Sequence, residues 1–200
     1  MTSASSTPLC EKTEKSLTLA KLLFPDEEWI SFEPNIWVAK SRLPQKEIEP
    51  KKWVKEMSQV KILTNRGSVA FFLPELLLQD KKGSQSADLV LDGEIVEMKT
   101  IISDSRETLG GKFRKGYKQG ALLLQNSASY GVKGPKEHSV FIRLLADISV
   151  KSVKAKIAGV LKYHPDNGKL ICYFEKTGEL HTWTYDELRA IIGTAPNTIG

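Results

Sequence analysis

The chain has 200 residues, 40% of them hydrophobic, with 29 Lys and Arg against 24 Asp and Glu, a formal charge of +5 and a pI near 9.1. A chain this long buries enough surface to fold without staples, and its two cysteines, Cys10 and Cys172, lie far apart with no CxxC partner, which excludes a disulfide framework and a cysteine-based zinc site. No segment approaches the ~18 to 20 consecutive apolar residues of a membrane span, and the opening MTSASSTPLCEKTEKS lacks the apolar stretch of a signal peptide, so a protein working in the cytoplasm and away from membranes is expected.

In chain order, residues 1–15 read as disordered, and SLTLAKLLF has a short helical apolar pattern that stops before Pro25. The aromatic and β-branched content of WISFEPNIWVAKSRLP is strand-like, and a helix is expected from Pro50 to Gln59. Residues 16–60 are taken as an N-terminal extension and 61–200 as the main domain. A second helix is expected through SVAFFLPELLLQ, kinked or ended by Pro74, with Glu75 in its later part. Next come ADLVL and EIVEMKTI, two β-rich runs on either side of Asp92-Gly93, the pair that a two-residue type I′ hairpin prefers.

After this hairpin the sequence predicts a Gly-rich basic loop, a helix from Lys115 to Gln125, a strand over HSVFIRLLADIS and a helix from Val150 to Tyr163. KLICYFEK and ELHTWTY form a second hairpin around Thr177-Gly178, and DELRAII a terminal helix. Strands interleaved with helices imply an α/β or α+β fold, a mixed β-sheet flanked by helices.

A two-residue turn at Asp92-Gly93 sets Leu91 opposite Glu94, Val90 opposite Ile95, Leu89 opposite Val96 and Asp88 opposite Glu97. Lys99 shares the face of Glu97, while Ala87, Leu89, Leu91, Val96 and Met98 take the other. Two opposed carboxylates destabilise a sheet unless a cation, a shifted proton or a neighbouring ammonium compensates. Mg²⁺ or Mn²⁺ is the natural answer, because such ions take one or two carboxylates together with water and a substrate phosphate. From Arg106 to Lys136 there are seven cations (Arg106, Lys112, Arg114, Lys115, Lys118, Lys133, Lys136) and a single acid, Glu107, as a polyanionic partner would require. Phosphodiester hydrolysis is therefore the expected chemistry, with Asp88 and Glu97 as metal ligands and Lys99 assisting the attacking water or stabilising negative charge. On the following helix Gln119 could face the site, and Arg106, Lys112, Arg114, Lys115 and Lys118 could contact phosphates.

Other features read as structural. His138, His164 and His181 share no metal-ligand spacing, the four tryptophans are sparse enough to belong to the core, and LGGKFRKGYKQG lacks the GxxxxGK[ST] order of a triphosphate loop.

The constellation resembles the PD-(D/E)XK nuclease superfamily, whose pattern is an Asp on one strand, Glu-x-Lys on the next and a Glu on a preceding helix. Here the matches are Asp88, Glu97-Met98-Lys99 and Glu75, with Ala87 where the pattern has Pro. The resemblance implies a restriction-endonuclease-like core. SADLVLDGEIVEMKT, with the later YKQGALLLQ and VFIRLL, is also similar to C-terminal tRNA-nuclease domains of contact-dependent growth-inhibition toxins. That narrower resemblance implies RNA over DNA, tRNA as a candidate polymer, and a protein partner or inhibitor. A DNA endonuclease of the same superfamily stays open, and so do two further alternatives. One is a metal-independent toxin-type RNase using Lys99, Arg106, Arg143 or His138, and the other is a nucleic-acid-binding module without catalysis.

Overall fold

A computed structural model describes residues 9–75, 87–103, 106–129 and 137–193. Eight strands form one mixed sheet whose spatial order is the chain order: β1 (Trp29–Glu33), β2 (Ile36–Ala39), β3 (Ala70–Phe72), β4 (Leu89–Leu91), β5 (Glu94–Ile101), β6 (His138–Leu144), β7 (Lys169–Phe174) and β8 (Glu179–Thr184). Pairing is antiparallel at β1/β2, β3/β4, β4/β5 and β7/β8, and parallel at β2/β3, β5/β6 and β6/β7. Among the described residues six helices flank the sheet: α1 (Leu9–Leu23), α2 (Gln45–Ile48), α3 (Pro50–Thr64), α4 (Arg106–Ser129), α5 (Val150–Leu161) and α6 (Tyr185–Gly193). The mixed α/β class expected from the sequence is the fold observed. None of these helices is long and apolar enough to cross a membrane.

Each parallel step is made by a helical crossover, since parallel neighbours cannot be joined by a tight turn. Thus α3 links β2 to β3, α4 links β5 to β6, and α5 links β6 to β7. One face of the sheet is covered by α3, whose Trp53, Met57, Val60 and Leu63 pack on Phe72, Leu89, Val96 and Met98. On the opposite face Leu109, Phe113 and Tyr117 of α4 pack with α5 and α6 over β6 and β7. There α1 covers Phe71, Val90 and Ile95, joined by Leu123 of α4.

The β4–β5 hairpin has three of the four expected pairs, Leu89↔Val96, Val90↔Ile95 and Leu91↔Glu94, but Asp88 and Glu97 are not a ladder pair, because β4 begins only at Leu89. Asp92 and Gly93 both have positive φ, 50° and 83°, which is what a type I′ turn demands. Its tip is braced by α1 and by the segment before β3: Gly93 N–H donates to Ser16 Oγ at 2.8 Å and Val69 N–H to Asp92 Oδ1 at 2.8 Å.

Four expectations are corrected. The segment SVAFFLPELLLQ does not start as a helix: β3 occupies Ala70–Phe72, Leu73 to Glu75 are irregular, and 76–79 lie outside the described residues. A short, continuous apolar run fits a fully buried strand as well as a buried helix, and here both faces of β3 are covered. The Gly-rich basic loop is instead the first half of a continuous helix, α4. Leu9 to Lys15 are helical, so α1 begins within the stretch read as disordered. Ala87 packs with Val90 and Ile95, not with Leu89 and Leu91, because the chain bends at Asp88 and the strand alternation starts only at Leu89.

Candidate active site

The geometry begins where β4 stops. Beyond Val96 the β4-side edge of β5 has no ladder partner among the described residues, while its other edge stays paired with β6 as far as Ile101. The Asp88 carboxylate takes over at that point: Met98 N–H donates to Asp88 Oδ2 at 2.7 Å, so a side chain ends the hairpin. A cleft of about 620 Å³ opens here, with α3 forming one wall and α4 the other. Its floor is Asp88, Glu97 and Lys99.

Side chains alternate along β5, so Glu97 and Lys99 point to the α4 side. Glu97 is 1% exposed, and its carboxylate forms a hydrogen-bonded ion pair with Lys99. Burial, then repulsion from Asp88, pushes the Glu97 carboxyl well above the usual carboxylate range, and Lys99 only partly offsets them. Its second oxygen, Oε2, is buried with no hydrogen-bond partner among the described residues. An orphaned buried carboxylate oxygen beside a second carboxylate is the donor set a hard divalent cation fits. No group of three or more His, Cys, Asp or Glu with metal-binding placement occurs among the described residues.

The α3 wall brings residues that the sequence reading did not select. Arg42, in the 3-10 turn after β2, is 2% exposed. Its guanidinium donates to Leu73 O at 2.8 Å, to Asp88 O at 3.1 Å and to Glu56 Oε2 at 2.8 Å, and lies 3.8 Å from Glu75 Oε1. One buried cation thus fixes the backbone at Asp88 and a third carboxylate, Glu56, which faces the cleft from α3. Burial raises the Glu56 carboxyl, against the opposing pull of Arg42, and Asp88 raises it further. Glu75 also lines the cleft, but from irregular chain, and its carboxylate is held by Lys52. Of the two carboxylates that reach the cleft from before β4, Glu56 comes from a helix, α3, and Glu75 does not. No local signal marks Glu56, because residue 56 meets residue 88 only through the sheet.

The α4 wall carries Lys112, Lys115, Lys118 and Gln119, as expected of a phosphate-contacting helix, together with Leu122. These three lysines make no ion pair among the described residues, whereas on the facing wall Lys52 is bound to Glu49 and Glu75. Arg114 does not join the cleft: one residue off the lysine face, it turns toward α5 and lines a separate hollow. Arg106 opens α4, but its side chain, like Lys133 and Lys136, lies outside the described residues.

Two glycines explain how α4 comes so close. A Cβ on Gly116 would lie 3.1 Å from Val140 and 3.2 Å from Glu97 Cγ, and one on Gly120 2.7 Å from the His138 ring. Small residues one turn apart let the helix settle against β5 and β6, which seals Glu97 from solvent.

Of the residues considered for metal-free chemistry, Lys99, Arg143 and His138 do not gather. His138 is fully buried under α4, with Nε2 3.6 Å from the Asp166 carboxylate, and burial lowers its pKa. Arg143 is clamped by Glu175 at 2.7 and 2.9 Å and by Ser58 at 3.0 Å. Of the three whose side chains are described, Lys99 alone lies in the cleft.

Comparison of the sequence with protein-family models gave no match, and comparison with curated proteins gave none. Among solved structures, the chain is similar to one in the CdiA-CT/CdiI toxin and immunity complex from Burkholderia pseudomallei, with 18% identity, 68% of this chain and 86% of that chain covered, and a TM-score of 0.40. A likeness of that size carries no argument about activity.

Proposed function

We propose that this chain is a metal-dependent endonuclease hydrolysing phosphodiester bonds, with RNA favoured over DNA. The observation that carries the reading is the buried Glu97 carboxylate beside Asp88, with one oxygen lacking a hydrogen-bond partner among the described residues, in a cleft whose α4 wall carries lysines with no ion pair among those residues. Asp88 and Glu97 hold Mg²⁺ or Mn²⁺, an ion that polarises the phosphoryl group and lowers the pKa of bound water. Lys99 orients the attacking water or stabilises charge on the phosphate oxygens. Glu56, held by Arg42, takes the helix-carboxylate role assigned from sequence to Glu75 and orients that water from the α3 side. Lys112, Lys115 and Lys118 grip the flanking phosphates, contacts that position a polymer without reading its sequence.

The arrangement supports the resemblance to PD-(D/E)XK nucleases, with an Asp at one strand end, Glu-x-Lys on the next strand and a Glu from the preceding helix. The preference for RNA, tRNA as a candidate polymer and an inhibitory protein partner rest on the narrower sequence resemblance to growth-inhibition toxin domains.

The test is cleavage of end-labelled tRNA, total RNA and DNA by the purified chain with Mg²⁺, Mn²⁺ or EDTA, beside Glu97→Gln and Lys99→Ala. Metal-dependent cutting lost in both variants is the expected result, and the polymer cut names the substrate. Cutting that persists in EDTA would overturn the metal-dependent reading, and binding without cutting would make the cleft a recognition module.

A further inference from the structure

On the side of α4 away from the cleft, a hollow of about 410 Å³ lies between α4 and α5, lined by Gly110, Gly111, Arg114, Lys156 and Gly159 among others. We infer that this hollow is a second phosphate-binding site, which holds the backbone of a nucleic-acid strand after it leaves the catalytic cleft and crosses α4. The inference rests on reading the cleft as nucleic-acid-binding and extends it to a surface the catalytic residues do not touch.

Three observations support it. First, the hollow is shaped by glycine. A Cβ on Gly111 or Gly159 would meet nothing within 4 Å, so the floor is open backbone, while one on Gly110 would come within 2.8 Å of Lys156 Cε. The stem of Lys156 therefore lies across Gly110, in a slot that a larger residue would close. Second, neither Arg114 nor Lys156 makes an ion pair among the described residues, so both charges are available to an outside anion. Third, the two helices are almost without acid: α4 carries Glu107 alone, and α5, with Lys151, Lys154 and Lys156, has none. The field is felt by His164, whose pKa is lowered by burial first and then by Arg114 and Lys118.

The dimensions suit a polymer. An α-helix with side chains is about 10–12 Å across, and successive phosphates of a stacked strand advance about 3.4 Å along the axis. Roughly three or four nucleotides therefore span α4, with Lys112, Lys115 and Lys118 gripping one side and Arg114 and Lys156 the other. A dinucleotide fills only the cleft.

The test compares the full chain with an Arg114→Glu/Lys156→Glu double variant and with Gly159→Glu, which adds an acid to the hollow at an exposed helical position with room for it. Binding of a fluorescent single-stranded RNA long enough to cross α4 is titrated in EDTA at several salt concentrations, and cleavage of the same RNA and of a dinucleotide is measured with Mn²⁺. The expected result is roughly tenfold weaker binding of the long RNA by both variants, with the double variant's log–log salt slope reduced by about 1.4, two single-strand phosphate contacts. Dinucleotide turnover stays within about twofold of the parent. Unchanged affinity and slope in both variants, with cleavage intact, overturns the second site and leaves the nuclease reading standing. Binding that responds to the variants in a chain that cuts no polymer keeps the second site and overturns the nuclease. No binding by the parent chain under any salt condition overturns the second site.

Discussion

The two walls of the cleft use the same kinds of charge for opposite ends. On the α3 side Arg42 is bound to Glu56 and to the carbonyls of Leu73 and Asp88, and Lys52 to Glu75, while Lys55 alone of these cleft cations makes no ion pair among the described residues. On the α4 side Lys112, Lys115 and Lys118 have no ion-pair partner among the described residues. A charge whose partner is built in fixes geometry, and one without a partner is left for a ligand. The walls should therefore fail differently, the first in stability and the second in binding.

The largest separation is expected from Arg42→Ala against Lys115→Ala. Removing the buried Arg42 leaves the part-buried Glu56 carboxylate and two carbonyls without it, and the about 3–5 kcal/mol cost of breaking a fully buried pair is the upper bound on the loss. Removing the exposed Lys115 changes stability by no more than about 0.5 kcal/mol. Urea-unfolding midpoints decide between them, and equal midpoints would end the distinction.

Gly120→Ala comes next. Alanine is the better helix former by about 1 kcal/mol, yet its methyl would press on the His138 ring at 2.7 Å. A net loss of about 1–2 kcal/mol is expected, of the size overpacking gives, whereas Gly111→Ala, facing open space, should raise the midpoint.

His138 sharpens the α4 side in another way. Burial lowers its folded pKa below the ordinary imidazole value near 6.5, so the unfolded chain binds the proton more readily. Stability is then full above pH 6.5, falls as the pH drops through the folded pKa, and levels off below it. Unfolding midpoints from pH 8 to pH 5 check the sign, and a His138→Gln variant should lose that part of the dependence.

The smallest effect is on binding alone. Each of Lys112→Ala, Lys115→Ala and Lys118→Ala should lower the log–log salt slope for RNA by about 0.7 and leave the unfolding midpoint in place.

Much of the α4 side and the floor was legible in sequence. Asp92-Gly93 fixed a two-residue turn, the turn fixed the register, and strand alternation put Glu97 and Lys99 on one face. The basic run from Lys112 to Lys118 pointed to the same cleft, although reading Gly110 and Gly111 as a loop hid the helix that sorts Lys112 from Arg114. Helix propensity penalises glycine for its lost backbone entropy, and only the packed structure shows what close approach gains in return. The α3 side was not legible. Arg42, Glu56 and Asp88 are strangers in sequence, brought together by the parallel pairing of β2 with β3, and an Arg in a turn or a Glu on a half-exposed helix has no local signature. Glu75 was matched to the superfamily's helical Glu because SVAFFLPELLLQ looked helical throughout, whereas its Ala70–Phe72 form a buried strand.

The order of the sheet, β1 through β8 in sequence, has a kinetic consequence. Every strand pairs with the strand made just before it, so no edge waits for a distant partner and the separations to be closed are those of single hairpins and single crossovers. A chain emerging from the ribosome can lay down this sheet one strand at a time, with Arg42 and α3 in place before Asp88 and Glu97 are synthesised. Glu97 then stays open to solvent until α4 docks on β5 and β6, so its carboxylate is sealed late in assembly, on a scaffold that has already formed.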